Sequence, residues 1–131
     1  MISVLRWGLM RMAKRKFSES FRDAGAGILY CISTQRNMKI HLGAAVLALV
    51  MSYLLGLGRL EFALVIFAIT LVLAAEMLNT AIEKTIDIYV KSYHSGARVA
   101  KHIAAGAVLV AAVNAVVIGM IVFLPHLIAL W

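Results

Sequence analysis

Four polar side chains recur in an otherwise apolar segment, the sequence AEMLNTAIEKTID at residues 75–87. Glu76, Asn79, Glu83 and Asp87 are spaced three, four and four residues apart, which places them on one narrow face of an α-helix. Carboxylate and amide oxygens suit Mg²⁺, which usually keeps several waters and is completed by substrate phosphates. This set, the acid stripe, is therefore a candidate site for metal-bound phosphate.

The energetic cost of placing an acid beside a membrane favours a functional role for some residues of the stripe more than for others. A charged carboxylate near the hydrocarbon edge costs on the order of a few kcal/mol unless it is paired, hydrated or protonated, so it indicates function by default. Glu76 follows a long apolar run, and a salt-bridged helix end explains it poorly. For Asp87, pairing with Lys84 or Lys101 is as good an explanation as function.

Two different roles are open to acids in this position. One can act as a general base that takes a proton from a lipid hydroxyl, while a second holds the metal of a nucleotide. Lys101 is placed to reach phosphate oxygens as a positive point charge. A zinc site built on His94 and His102 is the less favoured alternative, because these residues lie eight positions apart, in and beyond a loop.

The elements that must position the stripe are helices, most of them in a membrane. The chain is 63% hydrophobic over 131 residues, and three apolar stretches come near the roughly 20 residues that a spanning helix needs. We predict an all-α membrane protein forming a single domain over residues 1–131, with spans at about 40–58, 62–83 and 102–125. An amphipathic surface helix is predicted at about 17–33.

The basic residues predict how the spans are oriented. Eight of the 13 Lys and Arg residues precede the first span, one lies in the first loop, four lie in the second loop and none follows the third span. The positive-inside rule then places the N-terminus, the second loop and the acid stripe on the cytoplasmic side. No nucleic-acid-binding motif competes with this explanation of the net charge of +7.

Two further features are expected to be structural. Cys31 is the single cysteine and is predicted to be an interior apolar residue. The first sixteen residues lack an apolar core followed by small residues at a cleavage site, so we expect them to belong to the mature protein.

Several motifs together resemble a known family. QRNMKIHL, AEMLNTAIEKTID and AKHIAAGAVLVAA are similar to segments of the small integral-membrane prokaryotic diacylglycerol kinases, a family that also contains undecaprenol kinases. The resemblance covers about residues 17–125. It implies a homotrimer of three-helix subunits in the bacterial inner membrane, with active sites between subunits. Such enzymes transfer the γ-phosphoryl group of ATP, with Mg²⁺, to a lipid hydroxyl.

The resemblance also implies a role for individual residues. Glu76 matches the general base, Glu83 matches the acid that holds the ATP-bound Mg²⁺, and Asn79 supports both. His94 and Lys101 match positions that line the nucleotide site.

Two positions of the nucleotide and metal site depart from the family pattern. Gln35 stands where the family usually has Glu; it keeps an oxygen ligand for the metal but loses the charge. His102 stands where the family usually has Asp; it can donate to the nucleotide but cannot bind as a carboxylate.

The motif wording favours an undecaprenol kinase over a diacylglycerol kinase, and two other functions stay open. One is a non-catalytic homologue that binds lipid or prenol through a compromised nucleotide site, as Gln35 and His102 suggest. The other is a small multidrug transporter. It fits less well because transport sites lie near the bilayer midplane, whereas these acids lie at one end of a span.

Overall fold

The computed structural model describes residues 17–131, so the prediction about the first sixteen residues lies outside the described part. Its helices are α1 (Phe17–Thr34), α2 (Arg36–Leu54), α3 (Arg59–Tyr89) and α4 (Ser95–Ile128). By length and composition, α2, α3 and α4 can each cross a membrane. The predicted fold class, an all-α protein with three spanning helices after an amphipathic helix, is confirmed.

The boundary between α1 and α2 is sharper than the apolar pattern predicts. Gln35 alone separates the two helices, with an extended backbone (φ −94°, ψ 122°). Helix α2 therefore begins at Arg36 rather than near residue 40. It ends at Leu54 because the chain turns at Gly56, where φ is +65°, a left-handed conformation that suits glycine after a helix.

Helix α3 is long enough for the end of the acid stripe, Glu83 and Asp87, to extend beyond the hydrocarbon region. Its 31 residues span about 46 Å at 1.5 Å per residue, whereas the hydrocarbon core of a bilayer is about 30 Å thick. At the start of α3 the Gly58 N–H donates to Glu61 Oε2 at 2.9 Å, so the Glu61 side chain caps the first turn. His126 Nε2 lies 3.5 Å from the same oxygen, so α3 and α4 are joined at the end opposite the stripe.

The core lies mainly between α3 and α4 and is built from small side chains. Ala68 of α3 and Ala104, Val108 and Ala111 of α4 are buried, which allows close approach of the two helix backbones. Helix α2 adds Met38 and Ala45 to this core.

Helix α1 packs on this core through few of its residues, and most of its surface is exposed. Cys31 is buried, as predicted, whereas Phe17 and Phe21 are 81% and 66% exposed. Their rings pack edge to face with centroids 5.0 Å apart. The exposed apolar face of α1 suits the membrane surface.

Enlarging a small side chain at the contact of α3 and α4 is expected to destabilise the fold. Ala104→Leu inserts three carbons at a site that is 6% exposed, and overpacking of this kind costs about 1–3 kcal/mol. Thermal unfolding in detergent should show a lower Tm. The matched control is Ala63→Leu on the exposed side of α3, which should leave Tm unchanged; equal Tm values for both variants would contradict the prediction.

Candidate functional site

The predicted stripe forms on α3, and its first members are buried. Glu76 is 2% exposed and Asn79 is 7% exposed, whereas Glu83, two turns after Glu76, is partly exposed. The Asn79 amide Nδ2 donates to Glu83 Oε1 at 3.3 Å. The Asn79 amide thus lies between an interior carboxylate and one near the surface, and the residues share one helix face as their spacing predicts.

Two buried oxygens of the stripe have no hydrogen-bond partner among the described residues. They are Glu76 Oε2 and Asn79 Oδ1. The neighbouring Thr80 hydroxyl donates to the Glu76 main-chain carbonyl at 2.9 Å and so leaves that carboxylate oxygen unpaired. Buried polar atoms are nearly always paired, and leaving one unpaired is costly. The two oxygens are therefore available to a ligand hydroxyl or a cation.

Helix α2 supplies the wall opposite Glu76. Asn37 and His41 line, together with Glu76 and Asn79, a cleft of about 290 Å³ whose other side is formed by α4 residues such as Ala105. We call it the polar cleft. His41 interacts electrostatically with the Glu76 carboxylate, and the Asn37 side chain hydrogen-bonds to it. The cleft thus places a carboxylate, two amides and an imidazole around one small space.

Sequence reasoning missed the part that α2 plays in this cleft. Both Asn37 and His41 entered the sequence analysis only as part of the QRNMKIHL motif, with no role of their own. Their spacing of four residues places both on one helix face, and that signal was present in the sequence. Only the packing of α2 on α3 shows that this face meets Glu76.

The donor set of the stripe fits a magnesium ion that a substrate helps to hold. Within residues 17–131, no cluster of three His, Cys, Asp or Glu side chains could form a protein-only metal site. Mg²⁺ does not need one, because it commonly binds one or two carboxylates and completes its shell with phosphates and waters. Glu83 and the unpaired Asn79 Oδ1 supply the hard oxygen ligands that this arrangement requires.

The last acid of the stripe takes part in an ion pair. Asp87 Oδ1 accepts a hydrogen bond from Lys101 Nζ, which joins the end of α3 to the first turns of α4 across the intervening loop. Lys84 points elsewhere: its Nζ lies 5.9 Å from the centroid of the Tyr30 ring, a cation–π distance that links α1 to α3. Of the two lysines that the sequence offered to Asp87, Lys101 is the partner.

The remaining predicted nucleotide residues, Gln35, His94 and His102, do not line the polar cleft. Gln35 occupies the N-cap position of α2 without a side-chain capping hydrogen bond, and its Nε2 donates to Thr34 Oγ1 at 2.9 Å. His94 caps α4, where its Nδ1 accepts from the Ala97 N–H at 3.3 Å. His102 is exposed on the first turns of α4. The structure thus brings Glu76, Asn79 and Glu83 together and leaves Gln35, His94 and His102 at the periphery.

Comparison with known proteins places this arrangement in a family. The sequence profile of prokaryotic diacylglycerol kinases matches residues 22–123. The chain belongs to that family. The match runs from α1 into the last turns of α4 and includes the whole polar cleft and acid stripe, so the resemblance drawn from the sequence motifs is confirmed.

Two similar proteins are named for different lipid substrates. A diacylglycerol kinase of Synechocystis is 44% identical over 112 residues, which cover 85% of this chain and 64% of that protein. An undecaprenol kinase of Bacillus subtilis is 40% identical over 112 residues, covering 86% of this chain and 91% of that protein. The alignment therefore spans slightly less than two thirds of the first relative and nearly all of the second. With its three apolar helices, this family member is a multi-pass membrane protein.

Proposed function

We propose that this chain is a lipid kinase that transfers the γ-phosphoryl group of ATP to the hydroxyl of a membrane lipid alcohol. The observation that carries the proposal is the buried Glu76 carboxylate, whose Oε2 has no partner in a cleft near the end of a membrane-spanning helix. Membership of the prokaryotic diacylglycerol kinase family supports the same activity.

In the proposed step, Glu76 acts as the general base. Its carboxylate accepts the proton of the lipid hydroxyl as the hydroxyl oxygen attacks the γ-phosphorus. The new O–P bond forms while the bond from the γ-phosphorus to the bridging oxygen of ADP breaks, giving a lipid phosphate and ADP. Glu76 then releases its proton to water. Asn37 and His41, which face Glu76 across the polar cleft, position the carboxylate and the hydroxyl.

The nucleotide is expected to lie further along the stripe, towards the end of α3. Glu83 and Asn79 would hold Mg²⁺ there, with Gln35 as a further oxygen ligand. When bound, the ion neutralises the charge that develops on the phosphates. The hydrogen bond from Asn79 to Glu83 holds the Glu83 carboxylate on the same face as Glu76. Lys101, His94 and His102 are proposed to contact the nucleotide from the start of α4.

The pair of Lys101 and Asp87 provides a test of the nucleotide site. Lys101→Gln removes the charge proposed to bind phosphate and should raise the KM for ATP by roughly tenfold, the scale of one charge-assisted hydrogen bond. Asp87→Asn breaks the same ion pair but leaves the lysine in place, so its KM should change by less than about threefold. Steady-state kinetics at saturating lipid measures both. Equal KM values for the two variants would assign Lys101 to the ion pair alone.

We propose undecaprenol as the preferred lipid over diacylglycerol. The motif wording supports this preference; the two relatives do not separate the substrates, because the diacylglycerol kinase is 44% and the undecaprenol kinase 40% identical over 112 residues each. Both lipids join a hydroxyl to a long apolar portion, and we expect the preference to depend on that hydrocarbon portion.

The proposed setting is the bacterial inner membrane, with the acid stripe on the cytoplasmic side, where ATP is available. The charge distribution supports this orientation, and the beginning of α4, which faces the stripe, carries Arg98 and Lys101. A homotrimer with active sites between subunits remains our proposal for the assembly. Many large apolar side chains of α2–α4 are exposed in the single chain, which leaves ample surface for partner subunits and lipid.

The direct test is transfer of labelled γ-phosphate from ATP to undecaprenol and, separately, to diacylglycerol, in mixed micelles containing Mg²⁺. Labelled lipid is the expected result, with more label on undecaprenol. Folded protein that labels neither alcohol would contradict the proposal and favour a non-catalytic lipid-binding homologue. In that case Gln35→Glu combined with His102→Asp should restore ATP binding if these two residues are what impairs the site.

A further inference from the structure

The buried Glu76 carboxylate needs a positive charge nearby if it is to act as a base. Glu76 is 2% exposed, and an ionised carboxylate that is removed from water is costly unless other groups compensate its charge. Without such compensation the acid keeps its proton, and a protonated acid cannot accept another from a lipid hydroxyl. The proposed reaction therefore requires a cation near Glu76 in addition to the Asn37 hydrogen bond.

The lysines beside the acid stripe are engaged elsewhere. Lys101 is paired with Asp87, and Lys84 lies over the Tyr30 ring. Neither lysine lines the polar cleft. The charge that Glu76 needs must therefore come from another side chain.

The titratable groups that face Glu76 come from two helices. Helix α2 contributes His41, whose positive charge favours the ionised carboxylate, and α3 contributes Glu83, whose negative charge opposes it. Helix α1 contributes no side chain to the polar cleft, and α4 closes it with uncharged apolar side chains: Ala105, Val108, Leu109 and Ala112. Among residues 17–131, His41 is therefore the cation available to Glu76.

His41 acts on Glu76 through its charge and leaves the reacting oxygen open. The Asn37 side chain hydrogen-bonds to the carboxylate, whereas His41 interacts with it electrostatically across the cleft. Glu76 Oε2 has no hydrogen-bond partner. A direct contact of the imidazole with Oε2 would compete with the lipid hydroxyl for this oxygen. The arrangement supplies the charge without blocking the proton acceptor.

We infer that His41 is a positioning residue of the phosphoryl-transfer reaction, because its positive charge across the polar cleft keeps the Glu76 carboxylate ionised. This inference rests on the proposed function. The imidazolium keeps its own proton while Glu76 accepts the proton of the lipid hydroxyl, so His41 acts through Glu76.

The first test compares the pH dependence of kcat in the wild type and in His41→Gln, at saturating ATP and Mg²⁺ with undecaprenol in mixed micelles. Glutamine can hydrogen-bond but carries no charge, so Glu76 should need a higher pH to ionise. A nearby opposite charge shifts the ionisation of a carboxyl by about 1–3 pH units. The acid limb of the profile should therefore move upwards by at least about one unit, a roughly tenfold loss of rate on that limb. At alkaline pH the two rates should agree within about twofold.

Two further variants show whether charge is the cause. His41→Lys restores a positive charge and should return the acid limb at least half-way to its wild-type position. The matched control is His126→Gln, the same change at a half-buried histidine that pairs with Glu61 at the other end of α3. This control should leave the profile unchanged. His41→Asn replaces His41→Gln if that variant does not fold.

A measurement without turnover separates the inference from the proposed function. Infrared difference spectra of the protein without nucleotide and Mg²⁺ report the carbonyl stretch of the protonated Glu76 carboxyl, which is assigned by its absence in Glu76→Gln. The pH at which this band disappears should be at least about one unit higher in His41→Gln than in the wild type. If this shift is found in a protein that phosphorylates no lipid, the proposed function is wrong and the charge coupling stands.

Three results would overturn the inference. The first is an infrared band that disappears at the same pH in the wild type and in His41→Gln. The second is a loss of kcat in His41→Gln by the same factor at every pH, which would assign His41 to packing. The third is a profile of His41→Lys that coincides with that of His41→Gln, which would show that the charge at this position has no effect.

Discussion

Replacing Glu76 with Gln is expected to abolish phosphoryl transfer while the protein stays folded. The substitution keeps the size of the side chain and its ability to hydrogen-bond, but an amide cannot accept the hydroxyl proton. General-base catalysis contributes about 10²–10⁴-fold, and kcat should fall by that factor. Because Glu76 is 2% exposed and its Oε2 is unpaired, removing its charge also removes a desolvation cost. The variant should therefore be at least as thermostable as the wild type.

The matched control for this experiment is Glu61→Gln, the same chemical change near the other end of α3. Glu61 accepts from the Gly58 N–H at 2.9 Å, and a glutamine oxygen can do the same. Its partly exposed pair with His126 at 3.5 Å is of a kind that contributes only about 0–1 kcal/mol, so stability should fall by no more than that and the transfer rate should be close to wild type. The decisive pair of measurements is kcat and Mg²⁺-dependent ATP binding. Glu76→Gln should lose the first and keep the second. Wild-type turnover in this variant would remove Glu76 from the mechanism.

The acid stripe could be read from the sequence because it depends only on helix geometry. Spacings of three and four residues align side chains on any α-helix, and α3 is a continuous helix through all four positions. The burial of Glu76 followed from the apolar run before it. The helix itself extends beyond the predicted span of 62–83, because hydropathy marks where the bilayer ends and not where the helix ends.

The features that sequence could not supply are those that depend on packing between helices. Hydropathy placed the start of α2 near residue 40, since Arg36, Asn37 and Lys39 are polar, yet the helix begins at Arg36. Those polar first turns are what carry Asn37 and His41 to Glu76.

Choosing between the two candidate lysines for Asp87 also required packing. Lys84 lies three residues away on the same helix, and Lys101 lies across a loop. Lys84 lies over the Tyr30 ring of α1, and the ion pair of Asp87 is made with Lys101.

Replacing Glu83 with Gln is expected to impair the nucleotide site and not the acceptor site. Glu83 is partly exposed, and its Oε1 accepts a hydrogen bond from the Asn79 Nδ2 at 3.3 Å. The substitution removes the charge that is proposed to hold the metal. We expect kcat/KM for ATP to fall by roughly 10²-fold, the scale of losing one electrostatic stabiliser, and half-saturating Mg²⁺ to rise. Initial rates over a grid of ATP and Mg²⁺ concentrations measure both. The Asp87→Asn variant removes a carboxylate one turn further along α3 and serves as the control, because its Mg²⁺ dependence should match the wild type.

The KM for the lipid alcohol should stay unchanged in Glu83→Gln, since the polar cleft and Glu76 are intact. An unchanged Mg²⁺ requirement with a raised lipid KM would reverse the assignment and place the alcohol, rather than the nucleotide, beside Glu83.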